Sequence, residues 1–465
     1  METKLDWSAY DNTGMGDPFG ADPFGAGSFG GDAFGAAAAP VAGGAFGKAV
    51  ALCTGNRACL RTDSPGVMCP SFRATEDPLH STRGRIEALN AALAGADDAV
   101  DFSDPRLAEA MALCLSCKGC KRECPNGVDM ALLRAEYLAQ RNAREGVPAQ
   151  ARLLASFTDH LAAYPALRWL VALRNRVAPL AALGERWWGI AGDRRLPAPA
   201  ARPFKEASPA SVPAEGPQVA LLVDSFCRHF EPGVAEAALA VLRAAGYRVT
   251  VLAPAADDAN PTRPLCCGRS KLSFGLVDDA RAEARRMMAA LAPALAARIP
   301  VVGLEPSCLF MLKDEYFSLG LGPDVGRLAG QVFLFEEFLA REHAAGRLRL
   351  ALKPLDLPPA LVHGHCHQKA YGAMPAVSTV LGLIPGFSFG MIDSGCCGMA
   401  GSFGLQARNQ AVSRKLAEAA LLPAVRAAEP EAPVVADGFS CRHQIRDGAG
   451  RRPVHVAELL QRALA

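Results

Sequence analysis

The sequence predicts a multi-domain chain of the α and α/β classes, in which an α-helical cysteine-rich module precedes two duplicated α/β lobes. Three observations predict it. Four cysteines recur at short intervals among helical stretches, in Cys114-x2-Cys117-x2-Cys120-x3-Cys124-Pro125. After Gln218, short apolar runs alternate with long helical stretches, the signature of a parallel sheet covered by helices. That alternation then occurs a second time, with its cysteines in corresponding places. A chain of 465 residues exceeds what one ordinary core fills, so about three folded units are expected.

Residues 1–48 are rich in Gly, Ala, Asp and Phe and repeat with a period of five, placing Phe-Gly pairs at Phe19, Phe24, Phe29 and Phe34. Such a segment buries too little surface to offset its backbone entropy and is expected to be a low-complexity linker, with docking through the phenylalanines as the alternative. Residues 49–148 read as helical pieces between cysteine loops, with Pro105 and Pro125 placed to start helices. Residues 149–217 read as amphipathic connector helices ending in the Pro/Ala-rich stretch Leu196 to Pro217. The tandem Trp187 and Trp188 in this connector suit packing against a neighbouring domain, or else contact with a partner or a membrane surface.

The first lobe is expected over residues 218–335 and the second over residues 336–465. Val219 to Val223 reads as a strand, Val234 to Ala245 as a helix closed by Gly246, and Arg248 to Leu252 as a second strand. Cys227 follows the first strand, Cys266-Cys267-Gly268 the second, and Cys308 the apolar run Val301 to Leu304. In the second lobe Cys366 follows Leu361-Val362, Cys396-Cys397-Gly398 follows Phe387 to Ile392, and Cys441 follows Val434-Val435.

Forty-nine basic residues against forty-seven acidic ones leave a net charge of +2, which offers no field to hold a nucleic acid. The N-terminus lacks the pattern of a secretory signal, and Arg168, Arg174 and Arg176 interrupt the apolar stretch from Leu161 to Leu183. No export and no membrane span are expected, and the location is expected to be cytoplasmic, with a seat at the inner face of the cytoplasmic membrane open. In a reducing compartment fifteen cysteines are read as metal ligands or catalytic thiols rather than disulfides.

The run from Cys114 to Cys124-Pro125 has the spacing in which three thiolates wrap one cubane and the Cys-Pro cysteine reaches a neighbouring cluster. That exchange requires an upstream half, which Cys53, Cys59 and Cys69-Pro70 supply. Cys69, Cys114, Cys117 and Cys120 then form a full 4Fe-4S site. Cys53, Cys59 and Cys124 form a three-thiolate site whose middle position is Asn56. It suits a 3Fe-4S cluster or a 4Fe-4S cluster with a labile iron, unless it is vestigial. Gly55, Gly66 and Gly119 are expected to let backbone amides approach sulfide. Lys118, Lys121 and Arg122 would raise the potential, or else form a charged surface loop.

In the lobes, Cys227, Cys266, Cys267 and Cys308, and again Cys366, Cys396, Cys397 and Cys441, fall at strand ends, where open α/β sheets place ligands. A cluster, a redox thiol and a structural thiol nest are the readings. His363, His365 and His367 alternate around Cys366 and are expected on one face of an extended segment, as ligands, proton carriers or plain hydrogen-bonding groups. Arg269, Lys369 and Arg442 are candidates to bind an anion, or are solvated charges.

From Cys53 onward the chain resembles the iron–sulfur half of the large bacterial FAD-linked D-2-hydroxy acid dehydrogenases, of the D-lactate and D-2-hydroxyglutarate type. The matching stretches include Met68 to Thr75, His80 to Arg85, Cys114 to Met130, Glu305-Pro306-Ser307-Cys308, Ser394 to Gly398 and Asp437 to Ile445. The lobes alone are similar to a wider group that includes the glycolate oxidase iron–sulfur subunit, the anaerobic glycerol-3-phosphate dehydrogenase anchor subunit and a subunit of heterodisulfide reductase. The resemblance implies that substrate hydride goes to FAD on a partner dehydrogenase subunit, since no FAD-binding module is legible here. The clusters would then pass single electrons to a quinone or cytochrome. Asp6-Trp7-Ser8 is a possible remnant of the junction to such a module. Where heterodisulfide reductase ends its lobes in Cys-x2-Cys, this chain has Glu305-x2-Cys308 and Gly438-x2-Cys441. A thiol-disulfide oxidoreductase centred on Cys266-Cys267 and Cys396-Cys397 is the enzyme alternative, and a redox sensor or scaffold the non-enzymatic one.

Overall fold

The computed structural model describes residues 2–10, 44–63, 66–94, 101–164, 166–205 and 216–465, so the Phe19, Phe24, Phe29 and Phe34 repeats lie outside the described residues. The cysteine module is helical: Gly44–Ala51, Pro70–Thr75, Thr82–Leu93, Pro105–Ala112, Gly119–Glu123 and Met130–Glu145. Side-chain caps start its long helices, because the first turn leaves backbone N–H groups without partners. Ser81 accepts from Gly84 N, Asp104 from Arg106 N and Asp129 from Leu132 N. Pro105 starts a helix as expected. Pro125 does not: the chain turns there, with Gly127 N donating to Cys124 O, and the next helix waits for the Asp129 cap.

Residues 2–10 depart from the expected linker. Leu5, Trp7 and Tyr10 are buried, and the Glu136 carboxylate accepts hydrogen bonds from Lys4 N, Leu5 N and Trp7 Nε1 at 2.8, 2.8 and 3.2 Å. Trp7 packs edge-on against Phe46, so three apolar side chains and one buried carboxylate tie down a segment that composition alone would leave loose.

The connector folds as helices Ala149–Ala155, Phe157–Ala163, Leu167–Arg176 and Ala178–Trp188. The domain-packing expectation for the tandem tryptophans is corrected: Trp187 is 73% and Trp188 45% exposed. Leu183 on the same helix, and Trp169, Leu170 and Leu173 on helix Leu167–Arg176, are also exposed.

The first parallel sheet contains β1 (Gln218–Leu222), β2 (Arg248–Val251), β3 (Val301–Gly303) and β4 (Val332–Leu334), in the order β2-β1-β3-β4. The second contains β5 (Ala360–Val362), β6 (Phe389–Met391) and β7 (Val434–Val435), in the order β6-β5-β7, with a parallel bridge from Val435 to Val454. Strand β4 escaped the sequence reading because it runs straight into helix Phe335–Ala344 with no turn residues between them. Helices cover both sheets, and helix Pro232–Ala244 packs on Val456–Arg462, so Leu221, Val302, Val362 and Val435 share one apolar core. A second core joins the cysteine module to the first lobe, through Leu89 and Leu133 on one side and Leu291 and Phe310 on the other. The modules are therefore welded together, with the cysteines at their junction.

Candidate metal centres

The loop through Cys114, Cys117 and Cys120 passes through left-handed backbone at Ser116 and Lys118, with φ of 53° and 62°. Its three thiols line one cavity together with Cys69 from the upstream half. All four side chains are buried. Four soft donors converging on one cavity fit an iron–sulfur cluster. Glu123 locks the two halves by accepting from Val67 N at 2.7 Å and Met68 N at 2.9 Å. Gly119 serves the same junction, since a Cβ there would stand 3.0 Å from Met68 N, and a Cβ on Gly66 would meet the Glu123 carboxylate at 2.7 Å. These two glycines thus admit the packing of one half on the other, while Gly55 faces open space.

Arg85 is the group the sequence reading passed over at this site. It is 1% exposed; Nε donates to Ala110 O at 2.7 Å, Nη2 to Ser71 Oγ at 2.7 Å, and Nη1 lies 3.5 Å from Cys69 Sγ. Burial raises the Cys69 thiol, but the Arg85 charge and hydrogen bonds from Ser71 and Arg85 outweigh it and hold Cys69 below the usual thiol range. Arg85 is thus a built-in counter-charge for thiolates. Its signal was its place on the apolar face of helix Thr82–Leu93, four residues before the fully buried Leu89.

Lys118 is no surface charge. It is 1% exposed, and Nζ pairs with Asp129 at 2.7 Å, Asp314 at 2.9 Å and Glu315 at 3.3 Å. Lys121 also pairs with Asp314, so two lysines of the cysteine loop share Asp129 of their own module and carboxylates of the first lobe, which clamps the loop to that lobe.

In the upstream half Cys53 and Cys59 are neighbours, and Cys59 accepts from Arg83 N at 3.3 Å. Burial pushes the Cys59 thiol up, and nearby Cys69 and Cys53 add to it. Asn56 Nδ2 lies 3.8 Å from Cys124 Sγ, and Asn126 Nδ2 reaches Leu52 O at 2.6 Å, which draws the Cys124 turn over the upstream loop. Cys124 is thereby held against Asn56 and the loop that carries Cys53 and Cys59.

In the second lobe Cys366, Cys396, Cys397 and Cys441 form a chain of thiol contacts, and His363 joins it at Cys397. The hydrogen bond with Cys396 outweighs burial and brings Cys366 down to about 7. Burial, followed by the charge of Cys366, pushes Cys117 up, so the cavity of the cysteine module abuts this lobe. In the first lobe Cys267 contacts both Cys266 and Cys308. Cys227 is set among Asp224, Arg442 and Glu305. Cys114, Cys266, Cys267, Cys308 and Cys366 line one cleft, and so do Phe226 and Phe439, which stack 4.8 Å apart.

The three histidines do not share an extended face. His365 Nδ1 accepts from His367 N at 3.1 Å, and this cap starts helix Cys366–Ala370, which turns the chain so that the His365 and His367 rings meet edge-on with centroids 5.1 Å apart. His363 turns to Cys397 and Cys441. His367 Nε2 donates to Ser116 O at 3.1 Å, and Arg269 Nη2 donates to the same carbonyl at 3.0 Å. The expected anion site is corrected as well. Arg269 pairs with Glu315, Arg442 with Glu231, and Lys369 donates to Ser394 O, so all three cations are used internally.

The two positions without thiolates have clear occupants. Glu305 reaches across to the second lobe, where Oε2 accepts from Phe439 N at 2.7 Å. Burial and the Asp224 carboxylate push it up to about 7. A Cβ on Gly438 would stand 2.2 Å from His365 Cδ2, so the imidazole fills the space a cysteine would need.

Residues 49–128 match the 4Fe-4S dicluster domain family. The chain is 30% identical over 251 residues to a subunit of the anaerobic glycerol-3-phosphate dehydrogenase of Escherichia coli (strain K12), covering 53% of this chain and 59% of that protein. It is 26% identical over 464 residues to the D-2-hydroxyglutarate dehydrogenase of Pseudomonas putida, covering 88% of this chain and 42% of that protein. The Escherichia coli (strain K12) D-2-hydroxyglutarate dehydrogenase is 24% identical, with 87% and 43% covered. The chain therefore spans about half the length of the curated relatives it matches. No solved structure matches. Residues 49–128 thus carry a 4Fe-4S dicluster domain, and the chain is similar over most of its length to D-2-hydroxyglutarate dehydrogenases.

Proposed function

We propose that the chain is the iron–sulfur electron-transfer component of a flavin-linked 2-hydroxy acid dehydrogenase of D-lactate, glycolate or D-2-hydroxyglutarate type. An FAD-binding partner delivers electrons to it, and a quinone or cytochrome takes them away. The observation that carries this reading is the convergence of Cys69, Cys114, Cys117 and Cys120 on one buried cavity within the matched dicluster segment. Those four would hold a 4Fe-4S cluster, and Cys53, Cys59 and Cys124 beside Asn56 would hold a second, of 3Fe-4S or 4Fe-4S type. Bound clusters supply one-electron carriage. The protein's own groups set the conditions for it. Arg85 stabilises thiolate charge, Lys118 and Lys121 fix the cysteine loop on the first lobe, and burial of the thiols keeps water from the site.

The like strand order of the two sheets supports reading residues 218–335 and 336–465 as duplicated Cys-Cys-Gly lobes, whose thiols are proposed as metal or redox groups. The cleft lined by Cys114, Cys366 and the Phe226–Phe439 stack suits a flat apolar acceptor.

Iron and sulfide analysis with low-temperature EPR on the anaerobically purified full chain tests this function. About seven or eight irons and two cluster signals are expected, with dye reduction only when an FAD-binding dehydrogenase partner and its hydroxy acid are added. Absence of iron after anaerobic reconstitution, or hydroxy acid oxidation by this chain alone, overturns it.

Among the described residues no helix is long and apolar enough to cross a membrane. The exposed Trp169, Trp187, Trp188, Leu170, Leu173 and Leu183, with Arg176 and Arg186 exposed beside them, support a peripheral seat on an anionic lipid surface. Trp7 is buried, so tryptophan emission reports mainly on this face. A blue shift with anionic vesicles, lost in a Trp169→Ser/Trp187→Ser variant, is the expected outcome; unchanged emission and no co-sedimentation would sink the idea.

A further inference from the structure

We propose that His363, Cys397 and Cys441, completed by a third thiolate from Cys366 or Cys396, form a mononuclear site for a thiophilic divalent cation of the zinc class. This rests on reading the second-lobe thiols as metal donors and is independent of the dicluster segment.

The geometry is that of a set of donors facing one point. His363, Cys397 and Cys441 are all buried, and their ligand atoms lie within 4.8 Å of one another. A tetrahedron with metal–ligand bonds of about 2.1–2.3 Å has edges of about 3.5–3.8 Å, so closing this trio on an ion asks for sub-ångström adjustments. Three separate strand ends supply the donors: His363 follows β5, Cys396-Cys397 follows β6 and Cys441 follows β7.

Metal binding through Nε2 calls for the Nδ1–H tautomer of His363, and a partner for that proton is in place. His363 Nδ1 and the Ser394 hydroxyl lie 2.8 Å apart, and with the proton on Nδ1 the hydroxyl oxygen accepts it while its own proton turns to Ile392 O at 3.4 Å. Nε2 then carries a lone pair and is buried, with the Cys397 thiol beside it and no oxygen or nitrogen partner among the described residues. A buried lone pair pointed at two thiols, with its other nitrogen oriented by a hydroxyl, is the arrangement metal-binding histidines use. The other buried trio, Glu336, Asp437 and His455, lacks it: His455 Nδ1 accepts from Ala457 N at 3.0 Å, so Nε2 bears the proton and donates to Leu304 O.

Charge and donor type agree. Lys369 is held by Ser394 O beside Cys441, Cys366 and Cys396, which offsets thiolate charge without occupying a ligand position. Thiolate sulfur with imidazole nitrogen selects zinc over hard cations. Loading such a site releases the thiol protons to solvent and involves no electron transfer. In the first lobe the place of His363 is taken by Asp224, whose carboxylate accepts from Phe226 N and Cys227 N, so the same site is not built there.

The test is metal analysis with zinc-edge X-ray absorption on the anaerobically purified full chain. One zinc per chain is expected, with a first shell of about one nitrogen and three sulfurs at about 2.1 and 2.3 Å. His363→Ala should lose the zinc while the iron content and EPR signals of the dicluster segment stay. Ser394→Ala should weaken retention against a chelator by about 10–100-fold. His363→Cys should keep the ion in an all-sulfur shell, which preserves the test if His363→Ala fails to fold. Zinc absent from the chain even after incubation with zinc salt, zinc retained equally in His363→Ala, or extra iron lost in that variant, which would mark a third cluster, each overturns the proposal. Loss of iron from the dicluster segment bears on the proposed function and leaves this site standing.

Discussion

Replacing Cys117 by alanine is expected to remove about four irons from the protein and to abolish the signal of the downstream cluster, with loss of about 100-fold or more in electron transfer to an added acceptor. Cys117 is a cavity thiol that also packs in one cluster with Cys366 and Cys396, so its loss opens the site and also removes that contact between cavity and second lobe. Absorption and low-temperature EPR check this against Cys227→Ala, whose thiol sits among Asp224, Arg442 and Glu305 and should leave both signals unchanged. Intact absorption and EPR in the Cys117 variant would refute the ligand set of Cys69, Cys114, Cys117 and Cys120.

Lys118→Met carries the second large effect, and it is one of stability. The substitution keeps much of the side chain's volume but leaves Asp129, Asp314 and Glu315 buried around a missing cation. Removing one partner of a buried ion pair costs about 3–5 kcal/mol, because the remaining charge has lost its solvation as well as its partner. Anaerobic urea unfolding of the full chain should show a loss of that size, partly recovered in Lys118→Met/Asp129→Asn. A change below about 1 kcal/mol would mean that the network relaxes into solvent. The acid limb gives the same network a second readout. Burial would raise the Asp314 carboxyl, but Lys118 and Lys121 outweigh it and hold Asp314 well below the usual carboxylate range. A depressed carboxylate contributes stability that is present above its unfolded pKa of about 4 and is lost as pH falls through the folded value. The wild-type chain should therefore lose this increment only in strong acid, and the Lys118 variant should begin with a smaller one.

Much of the cysteine module was legible from spacing, because the reach of a thiolate to a cubane constrains both the intervals and the exchange of the Cys-Pro residue between halves. The cavity lined by Cys69 with Cys114, Cys117 and Cys120 is the grouping the spacing anticipates, and Asn56 faces Cys124 where a middle cysteine would fall. The parallel sheets were legible for a similar reason. Strands covered on both faces read as short apolar runs, and four of the five β1 residues are buried.

The fates of the charges were not legible. Lys118, Arg269, Lys369 and Arg442 look alike in sequence, as cations near cysteines, yet each is consumed by a partner far away in the chain: Asp314, Glu315, Ser394 and Glu231 respectively. Ion pairing in a low-dielectric junction depends on where two separate elements meet, and no local periodicity encodes that. The same holds for the histidines, since the cap made by His365 sets the direction of its neighbours. It holds too for residues 2–10, which composition leaves as a tail and the buried Glu136 carboxylate captures. By itself, then, the sequence determined which donors exist and at what intervals they recur, because cluster and strand geometry are short-range constraints. The tertiary structure alone decided which donors share a cavity, which cations are spent and which lone pair is left free, because those follow from distances between elements that only packing brings together.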